Sequence, residues 1–241
     1  MAQSPYISRV FEFMPAPGQF VNEMPYYDKG DTHQDMARKA EECLAENARV
    51  IVSLGGYGGY IVFGFDHAVE HRPGQMDFEI LGNAFYSNAN ANASNAKKGG
   101  SCEAGIVMVS CDENGNGVPD DEWYELAGSD YYLSTTLHNV EMTYYNPKHD
   151  GRATIPWSTN YGIKGAMITN QFHEHSFYPA DAGFDCNYDS MTVKGNIIMG
   201  CVNLSKPSYV ESHRSQLFGY ADNRGFSSMD IDNVANPYDY S

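Results

Sequence analysis

The chain has 241 residues, enough to bury a sizeable core, and carries 23 glycines, 18 tyrosines and 12 phenylalanines against only 15 lysines and arginines. Charged residues make up 19%, below the usual share, which suits a β-rich, loop-rich protein better than a helical bundle. A formal charge of −16 excludes a binder of nucleic-acid phosphates and unaided adsorption to anionic membranes, and leaves cations, neutral ligands such as sugars, or a basic partner.

Residues 1–31 hold Pro15, Pro17 and Pro25, which break regular structure, so an extended lead-in with one edge strand is expected. The opening MAQS reads as a start methionine before a trimmed mature end, so the missing secretory signal carries no weight. One helix follows, from Thr32 to about Asn47. Thr32 and Asp35 resemble a capping box, and Met36, Ala40, Cys43 and Leu44 recur on one helical face. From Val50 the pattern changes to strands. RVIVSL and YIVFGF flank GGYGG and predict two strands with a glycine-rich connection. The glycines lack the Lys-Ser/Thr of a phosphate loop and precede no helix, so they serve bending or close approach.

Further strands are predicted in MDFEILGNAF, AGIVMVS, EWYELAGS, HNVEMTYYNP, GAMITN and SMTVKGNIIMG, with Val140, Met142 and Tyr144 sharing one face. Residues 86–100 are low-complexity polar sequence, read as an exposed loop. After Leu217 the chain turns polar, and residues 224–241 read as a tail without a strong strand. Many short strands, one early helix and no βαβ alternation predict a mainly β fold, a β-sandwich forming a single domain over 1–241. No apolar run is long enough to span a membrane. The five cysteines, Cys43, Cys102, Cys111, Cys186 and Cys201, match no zinc spacing. Buried or free thiols are expected, with a Cys102–Cys186 or Cys186–Cys201 bridge as the alternative.

The stretch VSCDENGNGVPDDEWYEL, Val109–Leu126, concentrates six acidic residues with two glycines and two amides. Calcium wants several oxygens gathered from alternate residues of a tight loop. Asp112, Asn114 and Asn116 stand at positions 1, 3 and 5, Gly117 at the turning position 6, and Val118 offers a carbonyl at 7. Asp120, Asp121 and Glu122 supply further carboxylates. Trp123 occupies position 12, where a calcium hand needs Glu, so any calcium loop here departs from that pattern and sits on a β scaffold. The alternative is an Asx-rich hairpin turn without an ion.

Other chemistry finds less support. Asp66, His67 and His71 lie close in FDHAVEH, and His173 and His175 share a face if extended. Structural or ligand-contacting histidines are expected rather than metal ligands, and no G-x-S-x-G elbow occurs. Acid pairs such as Asp77 with Glu79, or Asp66 with Glu103, leave open a carboxylate-dependent glycoside hydrolase. Trp123, Tyr124, Trp157, Tyr161 and Tyr178 often stand beside Asn, Asp or Gly. Exposed, they would form flat platforms for sugars or other ring-shaped ligands, with nearby amides fixing orientation and His173 and His175 as further candidate ligand contacts.

Several segments in order, from about Val10 to Asn223, resemble the cell surface protein family of gut Bacteroidetes. They are VFEFMPAPGQFVNEMP, SLGGYGGYIVFGFDH, DFEILGNAF, GIVMVSCDENGNGVPDDEWYELAGS, TYYNP, IPW with NYG, and FGYADN. The resemblance implies an exported, often lipid-anchored protein on the bacterial cell surface, with a jelly-roll-like β-sandwich. It implies company with outer-membrane uptake proteins and a corrinoid, vitamin B12-like, as an alternative ligand to a glycan. It supplies no catalytic residues. Relatives read Ser-Ser-Glu-Pro-Gly where this chain has SCEAG, Ser101–Gly105, and continue with strand-forming sequence after the GYADN segment. The expectation is a non-enzymatic, calcium-stabilised ligand-binding protein outside the cell. A glycoside hydrolase and a structural or adhesive protein that docks a partner strand are the alternatives.

Overall fold

The computed structural model describes residues 3–86, 99–149, 151–169, 174–180, 189–198, 213–214, 216–223 and 226–231. Among them the fold is mainly strands with one α-helix, arranged in several antiparallel sheets and no closed barrel. The chain divides into two compact units. The first comprises Met1–His67 and Asn139–Gly195, the second Ala68–His138 and Asn196–Ser241.

In the first unit, β1 (Arg9–Met14) pairs antiparallel with β2 (Tyr60–Gly64). A register shift between Val10 and Glu12 interrupts this ladder. Strict alternation would send Val10 and Phe13, three residues apart, to opposite faces; the bulge turns both inward. They are 6% and 1% exposed. Helix α1 (His33–Leu44) covers them with Met36, Ala37 and Ala40. The expected capping box starts it. Thr32 Oγ1 accepts from Asp35 N at 3.2 Å and Thr32 N donates to Asp35 Oδ2 at 3.0 Å, satisfying two end donors. A short 3-10 turn, Ala45–Asn47, closes the helical run.

The run Arg49–Leu54, predicted as a strand, is irregular. Its polar groups find other partners. Val50 N donates to Cys43 O, Ser53 N to Met24 O, and Leu54 O accepts from Ala16 N. Because β1 pairs with β2, this run lies outside that ladder, and Val50 and Ile51 stay about half exposed. The glycine-rich connection permits close backbone approach, as expected. Gly55 has φ +73°, and a Cβ there would lie 1.9 Å from Ala16 O.

A four-stranded sheet completes this unit, in the order β11 (Lys164–Met167), β10 (Ile155–Thr159), β9 (Leu137–Tyr145), β12 (Ser190–Ile197). The chain passes between the two units within β9 and β12. Val140, Met142 and Tyr144 alternate inward as predicted, at 0%, 5% and 1% exposure, and Met191 and Val193 of β12 are also buried.

The second unit is built from short ladders. β3 (Phe78–Leu81) pairs with β15 (Phe226–Met229), and β6 (Gly105–Ile106) with β14 (Tyr220–Ala221). β7 (Met108–Ser110) pairs with β8 (Trp123–Glu125). β5 (Gly99–Ser101) lies between β4 (Phe85–Tyr86) and β13 (His213–Arg214). Val107, Leu126 and Met229 form a core with Phe78, Ile80, Val109 and Ala221 around it. Strand β15 lies in the stretch read as a polar ending. FSSM shows little apolar alternation, and the strand is specified by its pairing with β3 and by Met229, 1% exposed.

Candidate functional site

The acidic stretch is the connection of the β7–β8 hairpin. Ser110 pairs with Trp123, and the intervening residues form an exposed loop. Gly115 and Gly117, at φ +70° and +71°, supply the left-handed turns. The side chains bind the loop's own backbone. Asp112 Oδ1 accepts from Asn116 N at 3.0 Å and its Oδ2 from Gly117 N at 2.9 Å. Asn114 Oδ1 also accepts from Asn116 N, and Asn116 Oδ1 from Val118 N at 2.7 Å. These are Asx turns, which shape a loop before any ligand arrives.

The far end folds back. The amide nitrogens of Asn114 and Asn116 donate to Asp120 at 3.1 and 3.0 Å, and Glu113 N donates to Asp121 Oδ2 at 3.2 Å. The two amides hold the Asp120 carboxyl below the usual carboxylate range. Val118 O accepts from Asp120 N, and Glu122 accepts from the Tyr124 hydroxyl. The loop therefore gathers Asp112, Asn114, Asn116, Val118, Asp120 and Asp121 into one hydrogen-bonded network, with Glu122 turned to Tyr124.

The aromatic candidates are divided between the two units. In the second unit, Trp123 is half-buried and donates through Nε1 to Pro119 O, while Tyr124 is 54% exposed. In the first unit, Tyr161 lies exposed on the β10–β11 turn. Trp157 is half-buried beside Gly165, where a Cβ would meet its ring at 2.4 Å. Tyr178 is an interior side chain at 4% exposure, with its carbonyl accepting from Asn22 Nδ2 at 2.9 Å. His175 Nδ1 lies 2.6 Å from Glu23 Oε1, and its ring packs near Phe177. His173 lies outside the described residues, as do Cys186 and Cys201.

In FDHAVEH, Asp66 and His67 bond to each other at 2.6 Å, and His71 Nδ1 lies 3.1 Å from Asp77 Oδ2. Of the candidate acids, Asp66 belongs to the first unit and Glu103 to the second, while the Asp77 side chain is buried and Glu79 is exposed on β3. Cys43 and Cys111 are free thiols, and burial pushes the Cys43 thiol up.

One convergence escaped the sequence. His71, Asp77 and Asp230 bring three potential ligand atoms within 4.8 Å of one another, the single such group of His, Cys, Asp or Glu among the described residues. Asp230 is far from the other two in the chain and carries no local signal. Only the β3–β15 ladder, with Met229 opposite Phe78, places it beside Asp77.

Fold and loop together define a β-rich protein with a hydrogen-bonded acidic hairpin loop, and no helix among the described residues is long and apolar enough to cross a membrane. No family model matches the chain, and no curated protein is found to be similar.

Proposed function

We propose that this is a non-catalytic binding protein of the bacterial cell surface, a jelly-roll-like β-sandwich whose Asp112–Glu122 loop takes up calcium. The ligand class is a glycan or a corrinoid, met by an exposed aromatic of one unit, Tyr124 or Tyr161. The surface location, the jelly-roll, the corrinoid and a connection with uptake proteins rest on the segments that resemble the Bacteroidetes family. The loop's own hydrogen bonding carries the calcium reading. Asp112 already accepts the backbone N–H groups of positions 5 and 6, and Asn114 and Asn116 face Asp120. A calcium ion would take the place of those amide donors, with the amides turning their oxygens toward it. Its role would be to order the hairpin, not to react.

The binding role is tested by a glycan array and a cobalamin titration of the full chain in calcium-containing buffer. Saturable binding to one class, weakened by Tyr124→Ala or Tyr161→Ala, is the expected outcome. No binding in either assay overturns the proposed ligand classes. Turnover of a polysaccharide, abolished by an acidic substitution, overturns the non-catalytic role.

A further inference from the structure

We propose a second cation site, formed by His71, Asp77 and Asp230 and suited to a divalent transition metal such as zinc. The site lies at the end of the β3–β15 ladder. Met229 pairs with Phe78, so the next residues along the two strands, Asp230 and Asp77, leave the ladder side by side. Asp77 N donates to Met229 O and Ile231 N to Asp77 Oδ2, both reinforcing that end. His71 joins them through the turn at Arg72–Gln75, closed by Gln75 N donating to Arg72 O.

The distances suit a metal. His71 Nδ1 lies 3.2 and 3.1 Å from the two Asp77 oxygens and 3.8 Å from Asp230 Oδ1. Ligand atoms bound at about 2.0–2.1 Å in a tetrahedron stand roughly 3.3 Å apart. The Asp77 side chain is 1% exposed, and each of its oxygens is fixed by a backbone donor, Oδ1 by Arg72 N at 3.3 Å and Oδ2 by Ile231 N at 2.7 Å. Such outer contacts orient a ligating carboxylate.

Charge points the same way. A divalent cation with two carboxylates and a neutral imidazole forms a neutral group. One nitrogen with carboxylate oxygens suits zinc and its first-row neighbours better than calcium, which favours oxygen alone. The Asp230 and His71 side chains are 13% and 28% exposed, so the ion would have a path from solvent and room for water as a further ligand.

The test is a titration of the chelator-stripped full chain with zinc, and with cobalt as a coloured probe. The expected result is uptake at this site with cobalt d–d bands and no thiolate charge-transfer band, which distinguishes it from binding by cysteine. His71→Ala and Asp230→Asn should each weaken affinity by about ten-fold or more with unchanged far-UV circular dichroism, while Asp112→Ala leaves it unchanged. Asp77→Asn is the less safe variant because Asp77 holds the ladder end, so the two more exposed positions decide. No saturable uptake, uptake with a thiolate band, or affinity indifferent to both His71→Ala and Asp230→Asn overturns the proposal. Failure of the calcium reading at Asp112 leaves this site standing, since the two share no ligand.

Discussion

Glu125 shows how one side chain couples the acidic hairpin to pH. It follows Tyr124 on β8, and burial raises its carboxyl above the ordinary 4.5, while the hydrogen bond from Asn196 Nδ2 at 2.6 Å and the field of His138 work the other way. A carboxyl with a raised folded value binds its proton more tightly in the folded chain. Stability is therefore lost as pH rises from the ordinary value through the folded one. Glu125→Gln keeps an oxygen for Asn196 and removes the buried charge. In chelator-containing buffer the variant should melt higher than the parent at about pH 7, with the gain gone by about pH 4. A lower melting temperature at neutral pH would contradict this assignment. At this scale the sequence was most legible where chemistry is local. The spacing of Asp112, Asn114, Asn116 and Gly117 announced the hairpin loop because Asx turns form between near neighbours. The His71–Asp77–Asp230 convergence was hidden because it depends on strand pairing across most of the chain. The burial of Tyr178 was equally hidden, since an aromatic beside polar residues reads alike inside and outside a fold.

At the scale of elements, periodicity was informative where one face is buried against a continuous partner. Helix α1 begins at its capping box and buries Met36 and Ala40, and β9 alternates as predicted. The run Arg49–Leu54 misled because apolar content was read as pairing, whereas its backbone bonds go to loops and the helix end. Strand β15 was missed for the opposite reason, a polar sequence recruited by its partner. The N-terminal strand, expected at an edge, pairs with β2 alone and also supplies part of the first unit's core. Phe13 of β1 packs with Met36, Ala37 and Ala40 under the helix. Phe13→Ala should cost about 3–5 kcal/mol by urea unfolding, because the bulge at Val10–Glu12 fixes the strand and limits collapse into the cavity. A loss under about 1 kcal/mol would mean that β1 and α1 do not share the core described.

For the whole molecule, the charge of −16 and the division into two units set the terms. Excess negative charge works against a compact state, and bound cations relieve it. The charge is met locally in places, as where Lys39 lies 2.6 Å from Asp28 and 2.7 Å from Asp31. In the β7–β8 loop the carboxylates are held mainly by neutral amides and backbone donors. That is the physical basis for proposing calcium there. The most direct measurement is the melting temperature of the chelator-stripped chain with and without calcium, in parallel with Asp112→Ala. Calcium at about 100 times its dissociation constant should raise the parent's melting temperature by roughly 5–10 °C and leave the variant unmoved. A parent chain that melts at the same temperature with calcium and with chelator would contradict the account and leave the loop a hydrogen-bonded turn without an ion.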